Sequence, residues 1–172
     1  MSVYKLLENK NPILSIPLSG ISKECDRKQL KDDLIETMKE FNGIGLSANQ
    51  VGIMERVFVM YDNFEKREST ACFNPKILHE SKEQIFMDEG CLSWPGLWLK
   101  IKRPVWVEVE YEDENGERIE NKFTNLEARV FLHELDHMEG SDFTKRVSRL
   151  RFDRAKKRLK KVQKRLDNSN FA

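Results

Sequence analysis

Apolar positions in the first half of the chain predict one helix followed by short strands. Between Asp26 and Phe41 they recur every three or four residues, which indicates a single buried helical face. Asp26 can cap the start of this helix, and Asn42-Gly43 can end it. Two later apolar runs, Val57–Tyr61 and Cys72–Leu78, are short enough to predict strands.

A hairpin is predicted further along the chain. Valines alternate with Trp106 and glutamates from Val105 to Tyr111, the period of a half-buried strand. Asn115-Gly116 supplies a turn, and Arg118–Phe123 can then pair back against the first strand.

Two more helices are predicted in the last third of the chain. Thr124 and Glu127 have the spacing of a capping box, so a helix should begin at Thr124 and end near Gly140. A last helix should run from about Ser148 to Leu166, with one apolar stripe and basic residues elsewhere. The stripe comprises Phe152, Ala155, Leu159, Val162 and Leu166.

Together these elements predict an α+β fold, with short antiparallel strands around a helix that carries His133 and His137. The length of 172 residues fits one compact domain. We expect residues 1–147 to form the catalytic body, and residues 148–172 to form a basic C-terminal helix and tail of the same domain.

Composition changes this picture in two ways. Residues 145–166 contain twelve of the thirty Lys and Arg residues but only one acid, Asp153, which suggests an acidic partner for the tail. Three cysteines, Cys25, Cys72 and Cys91, do not make a disulfide framework. With no apolar run long enough for a membrane span and no targeting signal, we expect a cytoplasmic monomer with reduced thiols.

The segment His133-Glu134-Leu135-Asp136-His137 carries the clearest chemistry. Two histidines four residues apart on a helix face the same way and can bind one metal ion. Glu134 lies between them in sequence and can act as general base toward a water molecule that the metal activates. The HExxH pattern also arises by chance, so it needs support from other segments.

A catalytic site of this kind usually has three protein ligands. No Glu follows Glu139, and Phe143 occupies the position where metzincins have a third His. The third ligand must therefore lie upstream, and its candidates are His79, Cys25, Cys72 and Cys91. Cys91 has suggestive neighbours, Gly90 and the Pro95-Gly96 turn, but a buried structural thiol remains equally compatible with them.

A glycine-containing segment, Gly43 to Gly52, precedes these candidates in the chain. It is not a phosphate loop, because no Lys follows the glycines and no strand is predicted before them. Gly43 and Gly45, spaced by Ile44, would let a peptide backbone lie alongside. Gln50 supplies an amide donor that can face a developing oxyanion. A helix cap followed by an ordinary loop is the alternative interpretation.

Taken together, three segments of the chain resemble the peptide deformylase family. That family has a Gly-Φ-Gly-Φ-Ala-Ala-x-Gln stretch, a Glu-Gly-Cys-Leu-Ser stretch and a Gln-His-Glu-x-Asp-His stretch. Here they read GIGLSANQ (43–50), EGCLS (89–93) and LHELDH (132–137). Order and spacing match over nearly the whole chain, and two departures stand out: Ser47 replaces Ala, and Leu132 replaces Gln.

The resemblance implies an enzyme that hydrolyses the N-formyl group from the formylmethionine of new polypeptides. It implies one divalent metal ion, Fe(II) in the cell and Zn, Ni or Co in purified protein, held by Cys91, His133 and His137. Glu134 would be the base, and the Gln50 amide and the Leu92 N–H would meet the oxyanion. The implied substrate-binding residues are Ile44, Gly45, Gly90, Leu126 and Val130.

The resemblance also implies a partner, since some deformylases dock near the ribosomal exit tunnel through a C-terminal helix. The basic tail of this chain would serve that contact. Two alternatives remain from the residues themselves: a metallopeptidase that cuts internal amide bonds, and a catalytically idle ribosome- or RNA-binding protein. The missing downstream ligand disfavours the first, and the intact set of candidate site residues disfavours the second.

Overall fold

The computed structural model describes the backbone of residues 2–169 and the side chains of residues 2–167. Within these residues the α-helices are α1 (Arg27–Glu40), α2 (Asn125–Met138) and α3 (Arg149–Ser169). The strands are β1 (Gly45–Ser47), β2 (Val57–Asn63), β3 (Glu68–Glu80), β4 (Gln84–Cys91), β5 (Trp94–Pro104), β6 (Trp106–Glu112) and β7 (Arg118–Thr124). Short 3-10 turns cover Pro12–Ser15, Ala48–Val51 and Phe143–Arg146.

The strands form two antiparallel sheets. A five-stranded sheet has the order β1-β2-β3-β6-β7, and β4 pairs with β5 as a separate hairpin. The described elements therefore form an α+β fold, as the sequence predicts. The part of the prediction that falls on residues 170–172 lies outside the described residues.

Alternation along β2 places the five-stranded sheet between two helices. Phe58 and Met60 pack with residues of α2 in one apolar cluster, where the Phe58 and Phe131 rings meet edge to face at 5.2 Å. Val57 and Val59 point the other way and pack against α1. Because one strand contributes to both clusters, α2 is held at a fixed distance from β1 and β2.

The predicted strands are present, with wider bounds except for β6, which is shifted by one residue. β3 extends beyond Cys72–Leu78 at both ends, and β6 pairs with β7 so that Tyr111 faces Ile119. Gly116 has a φ of 82°, as a turn at Asn115-Gly116 requires. The sequence analysis missed β1, β4 and β5.

Helices α1 and α2 begin directly after Asp26 and Thr124, as predicted, but only one of the two predicted side-chain caps forms. Asp26 caps α1 by accepting a hydrogen bond from the Gln29 N–H at 3.0 Å. The predicted capping box at Thr124 is wrong, because the Thr124 side chain makes no capping hydrogen bond. Thr124 ends β7, and the chain turns into α2 through Asn125, which has a φ of 50° and donates its N–H to the Val105 carbonyl.

Helix α3 docks on the β4–β5 hairpin by only part of its apolar stripe. Phe152, Ala155 and Leu159 pack against buried residues of β5 and against Phe143. Val162 and Leu166, in the second half of the stripe, are 47% and 60% exposed. Among the described residues, no helix is both long enough and apolar enough to cross a lipid bilayer.

Candidate metal centre and active site

Helix α2 brings three candidate site residues to one buried place. His133 and His137 are separated by one helical turn, and their ring centroids lie 5.4 Å apart. Glu134 is 4% exposed and also faces the protein interior. The helix therefore presents two imidazoles and one carboxylate toward the strands packed beside it.

Cys91, at the end of β4, completes a group of three potential ligands. The ligand atoms of Cys91, His133 and His137 all lie within 4.8 Å of one another, and Cys91 Sγ is 3.4 Å from His137 Nε2. Cys72 lies in the core and His79 on the exposed end of β3, so neither joins this group. Cys25 is half-buried just before α1.

The electrostatic environment of Cys91 favours its thiolate, the form that binds a metal ion. Burial alone raises the pKa of the Cys91 thiol, but the adjacent His137 and His133 outweigh burial and lower it to about 6. Burial alone lowers the pKa of His133, whereas hydrogen bonds with Cys91 and Glu89 raise it to about 10. Metal binding requires neutral histidines and releases their protons. A thiolate beside two neutral imidazoles then has the donor chemistry of a tetrahedral metal site with one open position.

A buried network of charged side chains contacts His133 through its Nδ1. Glu89 Oε2 lies 3.0 Å from His133 Nδ1, while Arg103 Nε donates to Glu89 Oε1 at 2.7 Å. Arg129 Nη1 donates to the same Oε1 at 2.8 Å, and Arg103 also contacts Asp136. A carboxylate on the second nitrogen of a ligand histidine fixes the ring orientation and leaves Nε2 as the donor atom.

Strand β1 contacts the other side of Glu134. Ser47 Oγ donates to Glu134 Oε2 at 2.7 Å, and a Cβ at Gly45 would collide with Glu134 Oε1 and would lie 2.8 Å from Val130 Cγ1. Gly45 is therefore required by close approach of the helix to the strand. One of the two departures from the family motif, Ser47, thus touches a candidate catalytic residue.

The other departure has no such contact. Leu132 is 5% exposed and packs in the core cluster between α2 and the sheet. Its backbone carbonyl accepts a hydrogen bond from Arg103 Nη1 at 3.2 Å. Any residue could make that backbone contact, so the structure explains Leu132 by packing alone.

Gln50 is held with its amide toward the candidate ligands. Its Oε1 accepts from the Ser47 N–H at 3.0 Å, which turns Nε2 toward Ser93 Oγ at 3.2 Å and Cys91 Sγ at 3.4 Å. Leu92 occupies the tight turn between β4 and β5 directly after Cys91. Gln50 therefore places a side-chain amide donor beside the three-ligand group.

A cavity of about 860 Å³ opens onto these groups. Its lining includes all five residues predicted to contact substrate: Ile44, Gly45, Gly90, Leu126 and Val130. Gln50, Cys91, Leu92, His133 and Glu134 line it as well. The structure thus brings every predicted site residue except His137 to the wall of one cavity. His137 lies outside this lining and contacts Cys91.

Sequence reasoning missed several residues of the site. Glu89 stands in the quoted EGCLS segment, so its position beside Cys91 was a usable signal for a role near the metal. Arg103 and Arg129 gave no signal, because their partners are distant in sequence and meet only in the fold. Trp98, 65% exposed, covers Gly90, with its ring atoms 3.3 Å from where a Cβ would lie.

Comparisons with known proteins agree with this geometry. The family model described as polypeptide deformylase matches residues 3–153. A peptide deformylase of Wolbachia pipientis wMel is 40% identical over 147 residues, covering 80% of this chain and 82% of its own length.

Solved structures extend the likeness to the fold. The peptide deformylase of Ehrlichia chaffeensis in complex with actinonin has a TM-score of 0.84 and 36% identity, covering 96% of this chain and 98% of its own. The class I type b enzyme of Acinetobacter baumannii bound to Met-Ala-Ser has a TM-score of 0.78 and 32% identity, covering 86% and 100%. The sequence, the fold and the three motifs that meet in one site show that the chain belongs to the peptide deformylase family, metallohydrolases that remove the formyl group from new polypeptides.

Proposed function

We propose that Cys91, His133 and His137 hold the single divalent metal ion of this deformylase, with Fe(II) as the ion used in the cell. The observation that carries the proposal is the clustering of the ligand atoms of one thiol and two imidazoles within 4.8 Å of one another, with Cys91 and His133 at the wall of the cavity. Burial of both histidines and the carboxylate behind His133 fit a preorganised ligand set. When bound, the metal supplies a Lewis acid that lowers the pKa of water.

The proton is handled by Glu134. Its carboxylate is buried, lines the cavity and is not one of the three ligands, so it is free to accept a proton from the attacking water. The same carboxylic acid then returns the proton to the leaving amine. The charge that develops on the formyl oxygen is met by the Gln50 amide and by the Leu92 backbone N–H.

The substrate peptide lies along β1 and the end of β4. Ile44, Gly45 and Gly90 line the cavity, and the two glycines have no side chain to obstruct an extended peptide that pairs with their backbone. Leu126 and Val130 on α2 give the cavity an apolar wall for the methionine side chain. The Met-Ala-Ser peptide bound to the Acinetobacter baumannii enzyme supports an N-terminal Met in this position.

Cys91→Ser should lose metal. A hydroxyl is a poor ligand where a thiolate stood, so metal content after anaerobic purification and dialysis should fall well below one ion per chain, and formate release from formyl-Met peptides should fall with it. Cys25→Ser, the same change outside the ligand group, should retain metal and activity. Full metal retention by Cys91→Ser would remove Cys91 from the ligand set.

We also propose that α3 binds the ribosome near the exit tunnel. Its apolar side is used for docking at Phe152, Ala155 and Leu159, whereas most of its Lys and Arg side chains are exposed. Asp153 is the single acid between 145 and 166, and it pairs with its neighbours Arg149 and Lys156. A face of one sign suits ribosomal RNA, whose phosphates such a helix would contact.

Neutralising part of this face should weaken ribosome binding selectively. Changing Lys157, Lys160, Lys161 and Lys164 to Gln should abolish most co-sedimentation at low salt, and binding by the unchanged protein should fall steeply as salt rises. Turnover of a small formyl-Met peptide should stay the same. Point changes are preferable to truncation because Phe152 lies 5.5 Å from Trp94, in the cluster that also includes Cys91.

The matched control changes four exposed lysines elsewhere, Lys23, Lys28, Lys39 and Lys66, to Gln. This variant has the same net charge as the helix variant, so equal loss of ribosome binding by both would show a general charge effect. Unchanged binding by the helix variant would return α3 to the role of a solvated helix docked on the enzyme.

A further inference from the structure

Ser47 is the one departure from the family motif that contacts a residue of the proposed chemistry. It is completely buried, and its Oγ lies 2.7 Å from Glu134 Oε2 and 3.2 Å from the Glu134 backbone carbonyl. A hydroxyl that donates to a carboxylate makes a charge-assisted hydrogen bond, which is shorter and stronger than a neutral one. The 2.7 Å distance identifies the carboxylate as its principal acceptor.

The position of Ser47 on β1 explains why its side chain reaches Glu134. Residues two apart on a strand face the same side, so Gly45 and Ser47 both face α2, while Leu46 between them packs in the cluster on the α1 side. Gly45 leaves room for Glu134 Oε1, and Ser47 donates to Oε2. The two positions therefore define where each carboxylate oxygen lies.

The same residue is tied to Gln50. The Ser47 N–H donates to Gln50 Oε1 at 3.0 Å, and this bond leaves Gln50 Nε2 facing Cys91. Ser47 thus contacts both the proposed base, through its side chain, and the proposed oxyanion donor, through its backbone. An alanine at this position would keep the contact of the Ser47 N–H with Gln50 Oε1. It would lose the contacts of the hydroxyl, which are to Glu134 and to the Gln50 backbone N–H.

We propose that the Ser47 hydroxyl is a positioning group for the general base. It holds Oε2 of Glu134, so that the carboxylate cannot rotate about its terminal bond and Oε1 remains the oxygen available to accept the proton. Terminal carboxylate torsions are otherwise broad, so without a partner the base would sample many orientations. Orientation of a base relative to the reacting water directly affects the rate of proton transfer.

The experiment compares metal-loaded wild type with Ser47→Ala. We expect kcat to fall about tenfold, equivalent to about 1.4 kcal/mol in the barrier, with KM for a formyl-Met peptide and metal content unchanged. A crystal structure of the variant should show the Glu134 carboxylate rotated or in more than one orientation. Unchanged kcat, or a rise in KM with kcat unchanged, would overturn the proposal.

Ser81→Ala is the matched control for loss of a buried hydroxyl. Ser81 is 6% exposed, and its Oγ donates to the Glu83 carbonyl and accepts from the Val105 N–H, away from the cavity. The Ser81→Ala variant should be less stable than wild type and should have an unchanged kcat. An equal fall in kcat for both serine variants would show a general loss of rigidity and would refute a specific role for Ser47.

This inference rests on the proposed role of Glu134 as the base, and the two can fail separately. If Glu134→Gln retains turnover, the role of the base is wrong, and Ser47 has nothing to position. If Glu134→Gln loses turnover while Ser47→Ala does not, the base stands and only the inference about Ser47 falls.

Discussion

Glu134→Gln should lower kcat for formyl-Met peptides by about 10²–10⁴-fold, the range typical of removing a general acid–base group, while the protein keeps its metal. The amide that replaces the carboxylate has nearly the same shape but cannot accept the proton from water. Its carbonyl oxygen can still accept the hydrogen bond from Ser47 Oγ, which spans 2.7 Å in the unchanged protein. The variant therefore tests the loss of proton transfer while the packing around residue 134 is retained.

The measurement pairs steady-state formate release with metal analysis on the same sample. Glu127→Gln, the same change at the start of the same helix, is the control and should retain turnover, because Glu127 lies outside the cavity lining. Turnover close to wild type in metal-loaded Glu134→Gln would exclude Glu134 as the base. Metal loss by this variant would instead indicate that Glu134 belongs to the ligand set.

The elements that the sequence predicted share a strong local signal. Helix α1 combines an apolar face with Asp26 as a cap, and the β6–β7 hairpin combines alternation with an Asn-Gly turn. Local patterns of this kind lie within one helix or one hairpin, so they can be interpreted without knowing which distant segments pack against it. The error at Thr124 has the same origin: the spacing to Glu127 is right, but the preceding strand fixes how the chain enters α2.

The missed strands depend on long-range partners. β1 has only three residues, and it is a strand because Leu46 pairs with Val59 of β2, with a glycine before it where no side chain fits. β5 does alternate, with Leu97, Leu99 and Ile101 buried between exposed residues, so this signal was available and was overlooked. β4 is less regular, because Glu89 and not an apolar residue fills its most buried position.

The candidate site also combines residues with a local sequence signal and residues that depend on distant partners. His133, Glu134 and His137 lie within one helical turn, so their spacing alone predicted that they act together. Cys91 could not be separated from the other candidates by spacing, because its neighbours in the site come from α2, more than forty residues further on. The partners of Glu89 gave no signal for the same reason, since Arg103 lies on β5, and Arg129 and His133 lie on α2.

Glu89→Gln should destabilise the metal-free protein by about 3 kcal/mol. Glu89 is 5% exposed and accepts hydrogen bonds from Arg103 and Arg129, both of which are also buried. Removing one charge from a buried ion pair leaves the opposite charge uncompensated, which typically costs about 3–5 kcal/mol. The lower end applies because glutamine still offers one acceptor oxygen, and Arg103 retains its contact with Asp136.

Urea unfolding at pH 7, with metal removed from both proteins, measures this difference. Asp88→Asn is the control, because Asp88 is the neighbouring acid on the exposed face of β4, and its loss should change stability little. Metal affinity should fall about 10–100-fold in Glu89→Gln, because His133 loses the carboxylate that orients it. Equal stability of Glu89→Gln and wild type would mean that the network adds nothing over neutral hydrogen bonds.

The dependence of this difference on pH follows from the charge on Glu89. Burial alone raises the pKa of Glu89, but hydrogen bonds and charges from Arg103 and His133 outweigh it and hold the pKa well below its ordinary value. Its contribution is therefore complete above the unfolded-state pKa of about 4.3 and is lost as the pH falls further toward the folded-state value. The stability gap between wild type and Glu89→Gln should therefore narrow below about pH 4. A gap that persists undiminished to the lowest pH at which both proteins fold would show that it arises from shape and not from the charge of Glu89.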